Sequence, residues 1–402
     1  MKNLLLITTL IVATFTAQSP AHAAKTYGPG VTDIEIKLAQ TMPYSGPASA
    51  ISAAGKAQAA YFAMVNANGG VNARKIKLIS LDDGYSPPKT VEQTRKLVEA
   101  EKVLGLISPP GTASNAAIHK CVNANKVPHL FIGSHLRRWA DPERFPWTIQ
   151  GLRPPFHLDA KFFADYILKT RPNAKIAVLY QNDDYGKEYL NGLKEALGDK
   201  LGKMIVAEAS YELTDPTVDS QIVTLKGSGA DTFADFTTTK FGAQAIRKAY
   251  DIDWKPLHLV AFLSSSVGAV LRPAGLEKAV GLISSAVAKD PSDPQWRDDP
   301  AVKEYLAWAK RWYPAGDPED WLNVFGYSLA QLMVEVLKRC GDELTRENLL
   351  HHATAIKDVQ LPMMLSGIKI NTRPKDYLPL EQAQPMRFDG ERWVRFGDII
   401  GR

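Results

Sequence analysis

The sequence predicts an α/β protein of two lobes, each built on a mainly parallel sheet with helices on both faces. Strand-like apolar runs alternate with segments of helical spacing from residue 35 onward, the order in which helical crossovers build parallel sheets. After loss of an N-terminal leader the chain would still hold about 380 residues, more than one core usually supports, so it divides into two such units. No Gly/Ser-rich or low-complexity tract lies between them, which points to packed crossings and not a flexible tether.

In chain order, MKN is followed by LLLITTLIVATF and by TAQSPAHAAK, with Ala21-x-Ala23 as a cleavage site; this is the pattern of a secretory leader over residues 1–23. The apolar stretch 4–15 is too short to span a bilayer, and no later segment reaches the roughly 20 apolar residues a spanning helix needs. No Cys follows closely on the cleavage point, so the expected product is exported, free of a lipid anchor and not inserted in the membrane. Strands are expected at 35–42, 75–83, 103–108, 127–133, 175–180, 232–237 and 257–264. Helical spacing marks 89–102, 158–170 and 241–250. Pro-rich or extended stretches at 144–155, 284–296 and 367–379 are the candidate crossings. They divide the chain into lobe 1, 24–148 plus 288–366, and lobe 2, 149–287 plus 367–402, joined by a three-segment hinge that allows closure.

Composition excludes several classes. The two cysteines, Cys121 and Cys340, make no disulfide framework; one long-range bridge is open to them, and two separate buried thiols are the simpler expectation. The formal net charge of +5 is scattered along the chain with no basic tract, so no nucleic-acid partner is expected. Neither a P-loop, a dinucleotide fingerprint, a zincin motif nor a nucleophile elbow occurs. No catalytic residue, cofactor or metal is therefore expected. His351 and His352 are adjacent and point about 100° apart on a helix, which does not suit a shared metal. Asp82-Asp83 and Asp183-Asp184 close strands before turns, where Asp caps helices or forms Asx turns.

What remains is a set of strand-ending loops rich in hydroxyl, Gly and aromatic residues: 41–49, 108–115, 133–139, 181–188, 236–242 and 262–268. Each stands before a candidate helix, where free N–H groups and hydroxyls can bind a small polar ligand. In open α/β sheets this carboxyl edge is where ligands bind.

The order TMPYSGPAS, NGGVNARKIKLISLDDGYSPPKTVEQTRKLV, KVPHLF and NDDYGKEY resembles the type I periplasmic solute-binding proteins of ABC importers, of the branched-chain amino-acid kind, from about residue 31 to the C-terminus. The resemblance implies two Rossmann-like lobes joined by three crossovers, a ligand in the cleft and hinge closure. It also implies a periplasmic monomer that docks on an inner-membrane permease with a cytoplasmic ATPase. Tyr185 matches the family tyrosine that packs on the ligand. After the strand ending at Ile107, relatives bind a ligand carboxylate with small and hydroxyl residues, here Ser108, Gly111 and Thr112, since Pro109 and Pro110 lack donors. Ser134 and His135 fall on the next loop, with Arg137 at its rim. Tyr44, Thr237, Thr238, Phe262 and Ser264 complete the expected ligand-binding set.

Family members that bind α-amino acids offer the ammonium an acid from the second lobe, in the loop corresponding to about 261–266. Neither that loop nor 236–239 holds an acid, and a buried ammonium without a counter-charge is costly. Asp183 or Asp184 remains as a substitute. Hydroxyls, Phe262, Tyr185, Tyr44 and a charge on His135 better suit an organic or aromatic acid. Three functions stay open: an importer's receptor, a sensory module that presents the same ligand to a receptor, and an exported α/β enzyme, for which no nucleophile and base were found.

Overall fold

The computed structural model describes residues 25–401; the expected leader, 1–23, lies outside the described residues. A short strand β1 (Thr26–Tyr27) comes first, followed by β2 (Glu35–Met42), β3 (Lys75–Asp82), β4 (Gly105–Ile107), β5 (His129–Ile132) and β6 (Thr148–Gln150). The last five form one parallel sheet in the order β3-β2-β4-β5-β6. Helices α1 (Ser52–Ala67), α2 (Pro87–Arg95) and α3 (Thr112–Ala124) make the crossovers that parallel strands require. The Gly-Gly turn after α1 has a steric reason. Gly70 has φ +79°, and a Cβ there would lie 2.1 Å from the Arg74 carbonyl oxygen, so only glycine lets the chain turn at once into β3.

The second sheet contains β7 (Ile176–Gln181), β8 (Ile205–Tyr211), β9 (Thr232–Phe236), β10 (Leu257–Val260) and β11 (Ile283–Ala286) in parallel. Helices α4 (Phe156–Thr170) and α5 (Asp184–Leu197) flank β7 in sequence. The chain then leaves this sheet: helix Trp321–Cys340 packs into the first core through Leu329, Leu332 and Met333, and β12 (Glu343–Leu344) pairs with β1. It returns as β13 (Gln384–Phe388) and β14 (Trp393–Arg395), an antiparallel pair that gives the order β14-β13-β11-β10-β9-β7-β8. This pair is absent from the sequence-based strand assignment, as are β8 and β11.

The stretch 144–155, expected as a crossing, contains β6, which still pairs with β5. The run 257–264 stops being strand at Val260 and turns through Phe262–Ser264, so Phe262 sits on a loop. The cysteines are unbridged; Cys340 is buried, and Cys121 is exposed on α3 where a buried thiol was expected. Among the described residues no helix is long and apolar enough to cross a membrane.

Where the chain leaves β11, Asp290 lies against an internal cavity and accepts hydrogen bonds from Ser292 N–H (2.9 Å) and Oγ–H (2.7 Å). Burial pushes its carboxyl up to about 6. The folded state thus holds this proton more tightly than the unfolded chain, so the group opposes folding above pH 6 and ceases to do so below about 4. Asp290→Asn keeps the acceptor and is expected to stabilise the chain at pH 7.5 by at most about 3 kcal/mol. Denaturant titrations at pH 7.5 and pH 4 check this; an equal gain at both would assign it to another cause.

Candidate functional site

The loops that follow β4 and β5 are stitched together at the edge of the first sheet. Gly111 N–H donates to Gly133 O (3.1 Å) and Gly133 N–H to Pro109 O (2.9 Å). Asn115, in the first turn of α3, donates through Nδ2 to Pro109 O (2.8 Å) and Gly111 O (2.7 Å). Its Oδ1 lies 2.8 Å from His129 Nε2, and burial pushes that imidazole down to about 3, so the neutral ring donates to Asn115. The scaffold holds Ser108 at φ +50°, a conformation that persists only where surroundings over-determine it. Asn115→Ala removes three buried partners at once. It is expected to cost about 2–4 kcal/mol of stability, and calorimetric affinity for whichever ligand binds should fall at least tenfold.

These loops face the second sheet's edge across a cavity of about 90 Å³. Seven of the expected residues line it: Ser108, Gly111, Thr112, His135, Tyr185, Thr238 and Phe262. The other four do not. Tyr44 turns to β3, with its hydroxyl 2.6 Å from Ser80 Oγ. Ser134 Oγ meets Thr112 Oγ1 (2.9 Å) and accepts from Trp139 Nε1 (3.0 Å). Thr237 donates to Asp235 (2.6 Å), and Ser264 to the Thr237 carbonyl (2.9 Å). These side chains bond within the scaffold.

Helices and one further loop supply lining that sequence reasoning missed. Gln58 of α1 is buried, and neither polar atom of its amide has a hydrogen-bond partner among the described residues. Trp321, Leu322 and Phe325 come from helix Trp321–Cys340. Tyr85 follows β3 in a loop of the same kind as those singled out, and its ring lies against Gly111, where a Cβ would be 2.7 Å from it. The Tyr85 hydroxyl accepts from the Thr112 backbone N–H. A phenol therefore occupies one donor at the start of α3, the place where the resemblance implies a ligand carboxylate.

Electrostatically the lining is bland: no Asp, Glu, Lys or Arg belongs to it among the described residues. The charge expected on His135 is corrected. Burial, aided by the Arg153 cation, holds this imidazole far below its usual range, so the ring is neutral, and its Nε2 has no partner among the described residues. Asp183, the substitute considered for an ammonium partner, does not line the cavity; it caps α5 through Gly186 N–H (3.1 Å) and accepts from Gln181 Nε2 (2.6 Å). Asp184 pairs with Arg138 on the surface. Arg137 sits on the rim, bound to Glu188 and Glu195 of α5, each at 3.0 Å. Among the described residues no cluster of His, Cys, Asp or Glu suits a metal.

Two mainly parallel sheets whose carboxyl-edge loops close around one small cavity define a two-lobed binding protein. A family model described as periplasmic binding protein matches residues 35–389, and the chain belongs to that family. It is 27% identical over 176 residues to an amino acid binding protein of Pseudomonas aeruginosa, covering 42% of this chain and 44% of that one. The chain thus spans about half the length, 44% and 53%, of the curated relatives it matches. Its fold is shared with a branched-chain amino acid ABC transporter protein of Thermus thermophilus with bound valine (TM-score 0.82, 15% identity, 92% of this chain and 98% of that one). It is shared also with a solute-binding protein of an ABC transporter from Rhodopseudomonas palustris BisB5 in complex with 3,4-dihydroxybenzoic acid (TM-score 0.75, 18% identity, 91% and 97%).

Proposed function

We propose that this protein is the exported solute receptor of an ABC importer, which closes on a small organic or aromatic acid and delivers it, unaltered, to an inner-membrane permease driven by a cytoplasmic ATPase. The observation that carries the choice of ligand is the cleft lining: rings, hydroxyls and amides with no acid to meet an ammonium. A desolvated ammonium left without a counter-charge costs several kcal/mol, which disfavours α-amino acids here. An apolar or aromatic body suits Phe262, Tyr185, Phe156 and Trp321. Family membership, the cleft between two sheets and the secretory pattern of residues 1–23 support the receptor role.

Calorimetry of the mature chain against leucine, valine, phenylalanine, benzoate and hydroxycinnamates tests this reading. Binding of the acids, with compaction in small-angle scattering and recovery of unchanged ligand, is expected. Tight leucine or valine binding with no response to the acids would overturn the ligand class, and chemically altered ligand would overturn the receptor role.

A further inference from the structure

Behind the cleft, where the chain leaves β11 for the first lobe, lies a second cavity of about 80 Å³. Phe262, Trp321 and Phe325 line both cavities, so a wall of rings separates them. An apolar cavity of about 150 Å³ holds one benzene. Neither space alone takes an aromatic acid, whereas the two joined by displacement of the Phe262 ring exceed that size.

The chemistry of this second cavity is that of an anion site. Arg153 lines it and is 5% exposed, and its guanidinium stands 3.8 Å from the centroid of the Phe262 ring. Its one hydrogen bond to a protein side chain is a long one, 3.3 Å to Ser285 Oγ, and its Nε has no acceptor among the described residues. The nearby acid, Asp159, instead accepts from Ser285 Oγ (2.5 Å) and Tyr189 OH (2.7 Å). Two more lining residues carry donors without acceptors among the described residues, Ser328 Oγ and Trp321 Nε1. Of the other charges of the cavity, Lys289 is matched by Asp299 at 2.8 Å and Asp290 and Asp293 by the donors of Ser292 and Gln295, while the Arg395 guanidinium lies over the Trp296 ring, 4.9 Å from its centroid. A buried cation with one long hydrogen bond and two buried donors without acceptors among the described residues are costly to maintain, and an incoming anion offsets that cost.

We propose that this cavity is the acidic end of the ligand site: the ligand's carboxylate passes Phe262 to bond Arg153, Ser328 and Trp321, while its apolar body fills the cleft together with the space the displaced ring vacates. The assignment rests on the receptor reading above and moves the carboxylate from the Ser108–Thr112 loop, where Tyr85 already takes the Thr112 N–H, to the guanidinium. Binding then requires Phe262 to change rotamer, which makes this ring the gate between the two compartments.

The test titrates the wild-type chain, Arg153→Gln, Ser328→Ala and Trp321→Phe with benzoate, 3,4-dihydroxybenzoate, leucine and the methyl ester of each. For whichever acids bind, Arg153→Gln is expected to lower affinity a hundredfold or more, and Ser328→Ala and Trp321→Phe about tenfold. The esters should bind wild type weakly and be insensitive to all three changes. Should Arg153→Gln fail to fold, the other two variants decide. Unchanged acid affinity in the folded variants, or an ester that binds as tightly as its acid, overturns the subsite and leaves the receptor reading intact. Wild type that binds none of the probes overturns the receptor reading and the subsite together.

Discussion

Tyr185→Ala is expected to lose about 3–5 kcal/mol of folding stability as well as ligand affinity. The turn before α5 reads on sequence as a place for a ligand-facing ring, and the structure gives that ring a second duty. It lines the cleft, is 4% exposed, packs edge-on against Phe156 at 4.9 Å and Tyr189 at 5.4 Å, and donates to the Thr237 carbonyl at 3.1 Å. Tyr189 in turn stacks on Phe236 at 4.7 Å, so the aromatic contact runs from the cleft into the second core. Truncation leaves a void there and takes one of two donors from the Thr237 carbonyl, which keeps Ser264 Oγ–H at 2.9 Å. Tyr185→Phe separates the two duties: it keeps the ring and should cost only about 1 kcal/mol, with affinity nearly unchanged. Chemical denaturation and calorimetry on both variants check this. An alanine variant as stable as wild type would place the ring outside the core.

Gly326→Ala is the second large effect. Gly326 lies in helix Trp321–Cys340 where it crosses α1, and a Cβ there would stand 2.2 Å from the Ala54 carbonyl oxygen. Real contacts of this kind do not occur, so one helix must move off the other, at a cost of about 1–3 kcal/mol. Both helices line the cleft: α1 through Ala54 and Gln58, the long helix through Trp321, Phe325 and Leu329. Separation therefore reshapes the cavity, and affinity is expected to fall more than stability alone explains. A variant with wild-type melting and wild-type binding would show that the crossing yields without consequence.

The class of fold was legible because period and alternation survive in the sequence: the apolar runs within β5 and β7 are buried strands of parallel sheets. The antiparallel end was legible too but passed over, since MRFDGERWV carries the Asp-Gly pair of a tight hairpin between β13 and β14. The site was legible to the level of the loop and not of the residue. Ser134 and His135 are neighbours, as are Thr237 and Thr238, yet in each pair only the second lines the cleft. Successive side chains of an extended loop point opposite ways, and composition does not reveal which way. Tyr85 carried the same signal as the loops that were chosen. Gln58, Trp321 and Arg153 carried none, because their place depends on how helices and crossings pack across lobes, which no local pattern encodes.

The ion pairs at the lip bear on how long a ligand stays. Arg137 and Arg138 follow β5 of the first sheet, and their partners Glu188, Glu195 and Asp184 all sit on α5 beside the second. All of these side chains except Glu188 are exposed, so the pairs contribute little to folding. They link a loop of the first sheet to a helix of the second, however, so opening by hinge motion is expected to break them, which makes them a latch on the escape step. Mobile ions screen such contacts over about 8 Å at physiological ionic strength and over about 3 Å at 1 M. Dissociation should accordingly quicken as salt rises, while capture, limited by diffusion into a cleft whose lining carries no Asp, Glu, Lys or Arg among the described residues, stays nearly constant. Residence time, set at the rim, is thereby tuned separately from the recognition that takes place inside.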